Sequence, residues 1–443
     1  MKWNLPLKPD MHITAMGLGL FGGQLAAIRH CAELGAQVLV TDQSTPELLA
    51  ESVASLQHYP NVSFRFGLHQ LKDFAFADLI VVSPAVPASH ACLQAAVQRG
   101  VPIVTEIELF LANCDSPIIA VSGTVGKSTT ATMIQHLLDQ LGIVVHLGGN
   151  IGKSLLPEVE EITQHDWAIL ELSSFQLHWL SRNQCSFDVA VLTNYFPHHL
   201  DWHREEKSYR ECKQNLFRDQ TSEQLAVLPI GLKQDTNWGA QGERIYFGPD
   251  DSIDSLERWP AHIGINAQAA IAVADWICRK KHIEITRKEL ALLLADFQGL
   301  PHRMQHLAEK KGRLFFNDSK ATSPQATIAA VNSLTQPTWL IIGGALVTDD
   351  FEELISKLCD CSLLQGIACV GVTGQRVDDA ISQQNNSMNR SRFSDLQPAV
   401  NWCWENSQPG ETILLSPACP SYDEFLNYEQ RGDTFAHYVN ELV

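Results

Sequence analysis

The stretch Gly123-Thr124-Val125-Gly126-Lys127-Ser128-Thr129 holds the residue types that grip phosphate. Two glycines let backbone N–H groups approach an anion, a lysine ammonium can reach terminal phosphates, and a serine hydroxyl suits Mg2+. The common phosphate loop, G-x-x-x-x-G-K-[ST], would also need a glycine at position 121, where this chain has Val121. The flanks supply what such a loop requires. PIIAVS reads as a strand and TTATMIQHLLDQLG as an amphipathic helix, so N–H groups and the positive helix end converge on one anion site. An ordinary strand-turn-helix with a surface lysine is the plain alternative, and Gly-Lys-Ser-Thr at the handover argues against it. No guanine-reading N-K-x-D occurs in the chain.

The elements that must position this loop alternate between strand and helix. HITAMGLG reads as a strand running into a glycine turn, LAAIRHCAELG as a helix and QVLVTD as a second strand; ADLIVVSPAVP and VPIVTEIELF read as further strands. After the loop, DWAILELSSFQL and FDVAVLTNY read as buried strands, followed by LAVLPI and RIYFG, and HIGINAQAAIAVADWICRK as a helix. The turn Gln298–Arg303 then opens a third segment with strands at RLFFNDSKAT, PTWLIIGGA, IACVGVTG and ETILLSPACP. Strands alternating with helices predict parallel, doubly wound sheets in three successive α/β units.

At 443 residues the chain has room for roughly three domains of about 150 residues. A formal charge of −18 argues against a general nucleic-acid binder, because phosphate backbones attract basic surfaces. No apolar run approaches the length of a membrane span, and the N-terminal MKWNLPLKPDMHITAMGLGL lacks the pattern of a secretory leader. The eleven cysteines are scattered without a C-x-x-C pair, so neither a zinc nor a disulfide framework is expected, and a reducing cytoplasmic setting is.

The short loop form Gly123-Thr124-x-Gly126-Lys127-Ser128-Thr129 resembles that of the ATP-dependent Mur ligases. GGNIGKSLL (148–156), ELSSFQL (171–177), LPHRM (300–304), NDSKAT (317–322) and LSPACPSYDEFLNYEQRG (415–432) then follow in one order. Together, over nearly the whole chain, they resemble the D-glutamate-adding (MurD) branch of that family. The resemblance implies an α/β fold of three domains: an N-terminal Rossmann-like domain (1–114) for the UDP-sugar, a central P-loop-type ATPase (115–299), and a C-terminal Rossmann-like domain (300–443) for the amino acid. It implies a monomer that phosphorylates the carboxylate of UDP-N-acetylmuramoyl-L-alanine with ATP. The amine of D-glutamate then attacks the acyl phosphate, and a tetrahedral intermediate expels phosphate. It further implies that the domains close over their substrates.

The same resemblance assigns roles. Lys127 joins Gly123, Thr124, Gly126, Ser128 and Thr129 on ATP, with Asn266 on the adenine side, Arg303 on the phosphates and Asp318 on ribose or metal-bound water. Ser128 and Glu171 would hold Mg2+; a lone strand-end glutamate is more often a solvated rim charge, but the adjacent SSFQ motif favours the metal. His199 would bind a second Mg2+ with Lys213, whose family counterpart is carbamylated; Tyr209 stands four residues earlier, as in the family. Leu20, Asp42 and Ser83 would contact the uridine diphosphate moiety, Asn150 the sugar, and Lys320, Thr322, Ser421 and Tyr428 the incoming glutamate. Departures occur too, and the most consequential is Val347 in GGALVTDDF, where many relatives carry a lysine that holds the glutamate side chain. Losing that ammonium removes a charge-assisted partner worth roughly 1.5–3 kcal/mol.

Overall fold

The computed structural model describes residues 7–18, 22–151, 153–182, 185–196, 200–238, 241–248, 261–297, 299–346, 351–384 and 387–442. Two compact units divide the chain, Met1–Arg258 with Ile263–Ala295, and Trp259–His262 with Asp296–Val443.

The first unit contains two parallel sheets. One comprises β1 (His12–Met16), β2 (Gln37–Asp42), β3 (Val62–Phe66), β4 (Leu79–Val82) and β5 (Ile103–Val104) in the order β3-β2-β1-β4-β5. The other comprises β6 (Ile118–Ser122), β7 (Val145–Gly149), β8 (Trp167–Glu171), β9 (Val189–Leu192), β10 (Leu225–Pro229) and β11 (Glu243–Phe247) in the order β11-β10-β9-β6-β8-β7. Strands such as IIAVS, WAILE and VAVL are buried along their whole length, as a sheet covered on both faces by crossover helices demands. One cluster of buried side chains runs from Ile13 and Val40 through Phe110 to Ala120 and Leu170, so the two sheets share a core. Trp179 adds a second tie. It is buried among Met16, Ile80 and Val82, and its indole N–H donates to Pro84 O at 3.3 Å.

The second unit holds β12 (Gln305–Lys310), β13 (Arg313–Asn317), β14 (Thr338–Gly343), β15 (Leu364–Val370), β16 (Arg390–Phe393) and β17 (Thr412–Leu415), ordered β12-β13-β17-β14-β15-β16. β12 runs antiparallel to β13; the remaining pairs are parallel.

Three readings of the sequence need correction. VPIVTEIELF is a strand only at Ile103–Val104; Thr105 N donates to the Glu108 carboxylate at 2.6 Å, and this capping box opens a helix over Glu106–Asn113. DWAILELSSFQL likewise leaves the sheet at Glu171, because Ser173 and Gln176 form a reciprocal cap and start the helix Ser174–Leu180. In IACVGVTG the strand ends at Val370 and Gly371 begins a helix to Gln384. In the first two cases apolar content suggested strand, and the S/T-x-x-E/Q signature decided for helix.

Candidate active site

In each doubly wound sheet the strand order reverses at a central strand, and loops diverge there at the carboxyl ends to leave a crevice. In the second sheet that strand is β6, flanked by β8 and β9. The phosphate-loop candidate leaves its carboxyl end. Gly123 has φ 148° and a Cβ there would lie 2.0 Å from Thr193 Oγ1; Gly126 has φ 80° and its Cβ would lie 2.6 Å from Asn266 Oδ1. Both positions therefore require glycine. Thr124 N and Val125 N donate to Asn194 Oδ1 at 3.1 and 3.0 Å, and Thr193 Oγ1 donates to Val125 O at 2.6 Å. Lys127 Nζ donates to Thr124 O at 2.9 Å, tucking the side chain against its own loop.

The helix Lys127–Gln140 then presents its first turn, whose N–H groups have no intrahelical carbonyl. Ser128 is buried and its hydroxyl donates to Glu171 Oε2 at 2.5 Å. Asn150 Nδ2 donates to the other oxygen, Glu171 Oε1, at 2.8 Å, and Asn150 N to Glu171 O at 2.8 Å. Lys213, fully buried, donates to Gly123 O at 2.8 Å and Ser122 Oγ at 3.0 Å. Burial first and the charge of Lys127 second hold the Lys213 ammonium well below its ordinary pKa, against the opposing pull of Cys212 and Glu171. Thr124 Oγ1 and Tyr209 Oη lie 2.9 Å apart, so Tyr209 braces the loop from the helix that carries Lys213.

Lys127, Ser128, Asn150, Glu171, Lys213 and Asn266, together with the loop glycines, thus meet around one turn. A hydroxyl and a carboxylate in contact are hard oxygen donors, which fits Mg2+. Among the described residues no group of three or more His, Cys, Asp or Glu side chains stands ready to hold a metal. His199, the expected ligand of a second Mg2+, lies outside the described residues, as does Leu20. Sequence reading missed Thr193 and Asn194, which clamp the loop; the signal was the polar pair ending the buried run VAVL.

In the first sheet the reversal falls between β1 and β4. Gly17 follows β1 with φ 84°, and its Cβ would lie 3.2 Å from that of Ser83, just past β4. Asp42 ends β2 and accepts from Leu18 N at 2.7 Å and Ser44 N at 2.8 Å. Burial would raise its carboxyl, but these bonds outweigh it and hold the pKa below the ordinary value.

In the second unit β13, β17 and β14 carry a further cluster. Asp318 follows β13, accepts from Met304 N at 3.1 Å and Ser416 Oγ at 2.9 Å, and burial pushes its carboxyl up to about 7. The turn bearing Arg303 has positive φ at His302 (61°) and Met304 (43°), and His302 O accepts from Lys320 N at 3.0 Å. Lys320 Nζ donates to Tyr428 Oη at 2.9 Å and sits 4.6 Å above the tyrosine ring. Thr322 N donates to Lys320 O at 2.8 Å, and Ser421 is buried. Beneath them the buried guanidinium of Arg431, which sequence reading also missed, donates to Ser319 Oγ at 3.0 Å, Ser319 O at 2.8 Å, Cys419 O at 3.1 Å and Pro420 O at 3.2 Å. Val347 lies outside the described residues.

A phosphate loop facing a strand-end carboxylate and a buried lysine, within a three-sheet α/β chain, defines a class of nucleotide-dependent enzyme, and comparison with known proteins gives the class its name. Residues 11–105 match the Mur ligase MurD-like N-terminal domain, 121–254 the Mur ligase middle domain, and 302–419 the Mur ligase glutamate ligase domain. The chain belongs to the Mur ligase family. Among its relatives, the UDP-N-acetylmuramoylalanine–D-glutamate ligase of Geobacillus kaustophilus is 32% identical over 99% of both chains. That of Fervidobacterium nodosum is 32% identical over 98% of this chain and 100% of its own. Solved structures share the fold: UDP-N-acetylmuramate-alanine ligase MurC of Thermotoga maritima (16% identity, TM-score 0.58, covering 97% and 99% of the two chains) and the MurF ligase of the same organism in complex with ADP (14%, 0.56, 98% and 96%). No helix among the described residues is long and apolar enough to cross a membrane.

Proposed function

We propose that this chain is an ATP-dependent carboxylate–amine ligase that joins D-glutamate to UDP-N-acetylmuramoyl-L-alanine in the cytoplasm, as a step of peptidoglycan synthesis. The observation that carries the reading is the convergence of Ser128, Glu171, Asn150 and Lys213 on one phosphate loop, in a chain similar from end to end to D-glutamate ligases.

The work divides among residues 1–114, 115–299 and 300–443. Asp42, Ser83 and Leu20 bind the uridine diphosphate moiety and Asn150 the sugar. The loop Gly123–Thr129 cradles ATP, Lys127 neutralises its terminal phosphates, and Asn266 and Arg303 complete the nucleotide site. Ser128 and Glu171 would hold Mg2+, which when bound draws negative charge from the phosphate oxygens as the carboxylate approaches. Lys213, whose pKa burial holds well below the ordinary value, is suited to add CO2 at its amine nitrogen, releasing one proton and becoming a carbamate. That anion, with His199, would hold a second Mg2+.

The substrate carboxylate oxygen attacks the γ-phosphorus and ADP departs. The amine of D-glutamate, oriented by Lys320, Thr322, Ser421 and Tyr428, then attacks the acyl carbon, sheds a proton and displaces phosphate. Asp318 braces the Arg303 turn through Met304 N.

The test is product formation from ATP, Mg2+ and UDP-N-acetylmuramoyl-L-alanine against a panel of amino acids, read by mass and by ADP release. A D-glutamate adduct is expected. An adduct with a different amino acid alone would overturn the acceptor assignment that Val347 puts at stake, and ATP binding without phosphate release from any pair would overturn the ligase reading.

A further inference from the structure

Glu106 is a buried carboxylic acid that the proposed chemistry does not use. It opens the helix Glu106–Asn113, and burial pushes its carboxyl up to about 7 despite a hydrogen bond from Ser154. The Ser154 hydroxyl donates to Glu106 Oε1 and accepts from Leu156 N at 3.1 Å, so both of its capacities are engaged. Beyond it, Leu155 and Leu156 are buried in the same apolar cluster as Ile28, Cys31, Ile107 and Phe110. On the other side, Oε2 lies 3.8 Å from where a Cβ on Gly23 would stand, at the start of the helix that follows the Gly17 turn.

Ser154 lies in the stretch that carries Asn150 to Glu171, and the glycines that open this stretch have no slack. A Cβ on Gly148 would come within 2.6 Å of Lys153 O, and one on Gly149 within 2.5 Å of Glu171 O. Gly149 N donates to Lys153 O at 3.3 Å, closing the loop on itself. A shift at Ser154 is therefore passed to Asn150, and from Asn150 to the Glu171 oxygen not taken by Ser128.

We propose that Glu106 is a positioning residue: through Ser154 it fixes residues 149–151 and 153–156, so that Asn150 meets both the sugar nucleotide and Glu171. What the loop does rests on the ligase reading above; how it is held rests on the contacts alone.

The full chain carrying Glu106→Ala, Glu106→Gln or Ser154→Ala tests this with two readouts. In steady-state kinetics, Glu106→Ala and Ser154→Ala lower kcat/KM for UDP-N-acetylmuramoyl-L-alanine about tenfold, the size typical of losing an outer-shell partner. KM for ATP stays within about twofold, and Glu106→Gln, which keeps an acceptor for Ser154, remains close to the unsubstituted protein. In hydrogen exchange of the protein alone, residues 149–156 exchange faster in the two alanine variants, while β6 and Glu106→Gln do not change. Alanine variants that exchange at the original rate, or a Glu106→Gln variant as impaired as Glu106→Ala, would overturn the proposal. If the unsubstituted protein makes no D-glutamate adduct, the ligase reading fails, and the exchange measurement still decides whether Glu106 holds the loop.

Discussion

At the scale of single residues, Lys213 and Asp318 show burial acting on opposite charges. Lys213 is an amine that water cannot solvate, with Lys127 nearby, so its pKa is held well below the ordinary lysine value. If it forms the carbamate proposed above, it cannot be replaced by a side chain without an amine. Lys213→Ala should lower ligation at least a hundredfold, with part of the rate restored by added formate or acetate; full activity without rescue would rule the modification out as essential. Asp318 is an acid whose folded pKa, about 7, stands above its ordinary 3.8. Between those values the folded protein binds more protons than the unfolded chain, so this group's contribution is complete below about pH 4 and lost as pH rises through 7. Asp318→Asn keeps an acceptor for Met304 N and removes the titration. Calorimetric melting of that variant should fall less between pH 5 and 8 than that of the unsubstituted protein, by roughly 3 °C or more. Equal slopes would place the titration on another group.

At the scale of elements, the phosphate loop is defined by contacts its sequence does not state. The strand-turn-helix over residues 117–140 could be read directly, because a fully apolar run, two glycines and an amphipathic period leave few alternatives. That Gly126 abuts Asn266, 140 positions on, could not. Gly126→Ala forces a Cβ onto that amide at positive φ, and should raise KM for ATP at least tenfold while KM for D-glutamate stays within about twofold. An unchanged KM for ATP would show that the loop has room the geometry denies it. The strands that escaped sequence reading share one property. β3, β7, β12 and β16 are all sheet edges with few buried positions, whereas the central strands are buried on both faces. An edge strand need satisfy only one neighbour and one face, so its apolar pattern is diluted below recognition.

At the scale of the whole molecule, nucleotide binding should register as stability of the first unit. A ligand that binds only the folded state adds about 2.7 kcal/mol at a hundred times its Kd. Mg2+ with ATP should therefore raise the melting temperature of the unsubstituted protein and leave that of Lys127→Ala nearly unmoved. An equal rise in both would detach Lys127 from the phosphates.

The order of motifs along the chain was enough to specify three α/β segments, the phosphate loop and the family, because those features are local: turns need glycine, crossover helices need period, and strand ends need polar residues. Which of those motifs face one another was settled by folding alone. Sheet order places β8 and β9 on either side of β6, and that adjacency brings Glu171, Asn194 and the loop together from positions up to 71 residues apart. Folding also sets Ser154 against Glu106, the two joined across 48 residues by a hydrogen bond that neither residue's own surroundings in the sequence announce. Local propensity acts over a few residues, and a site assembled from distant strand ends exists only once the sheet has chosen its order.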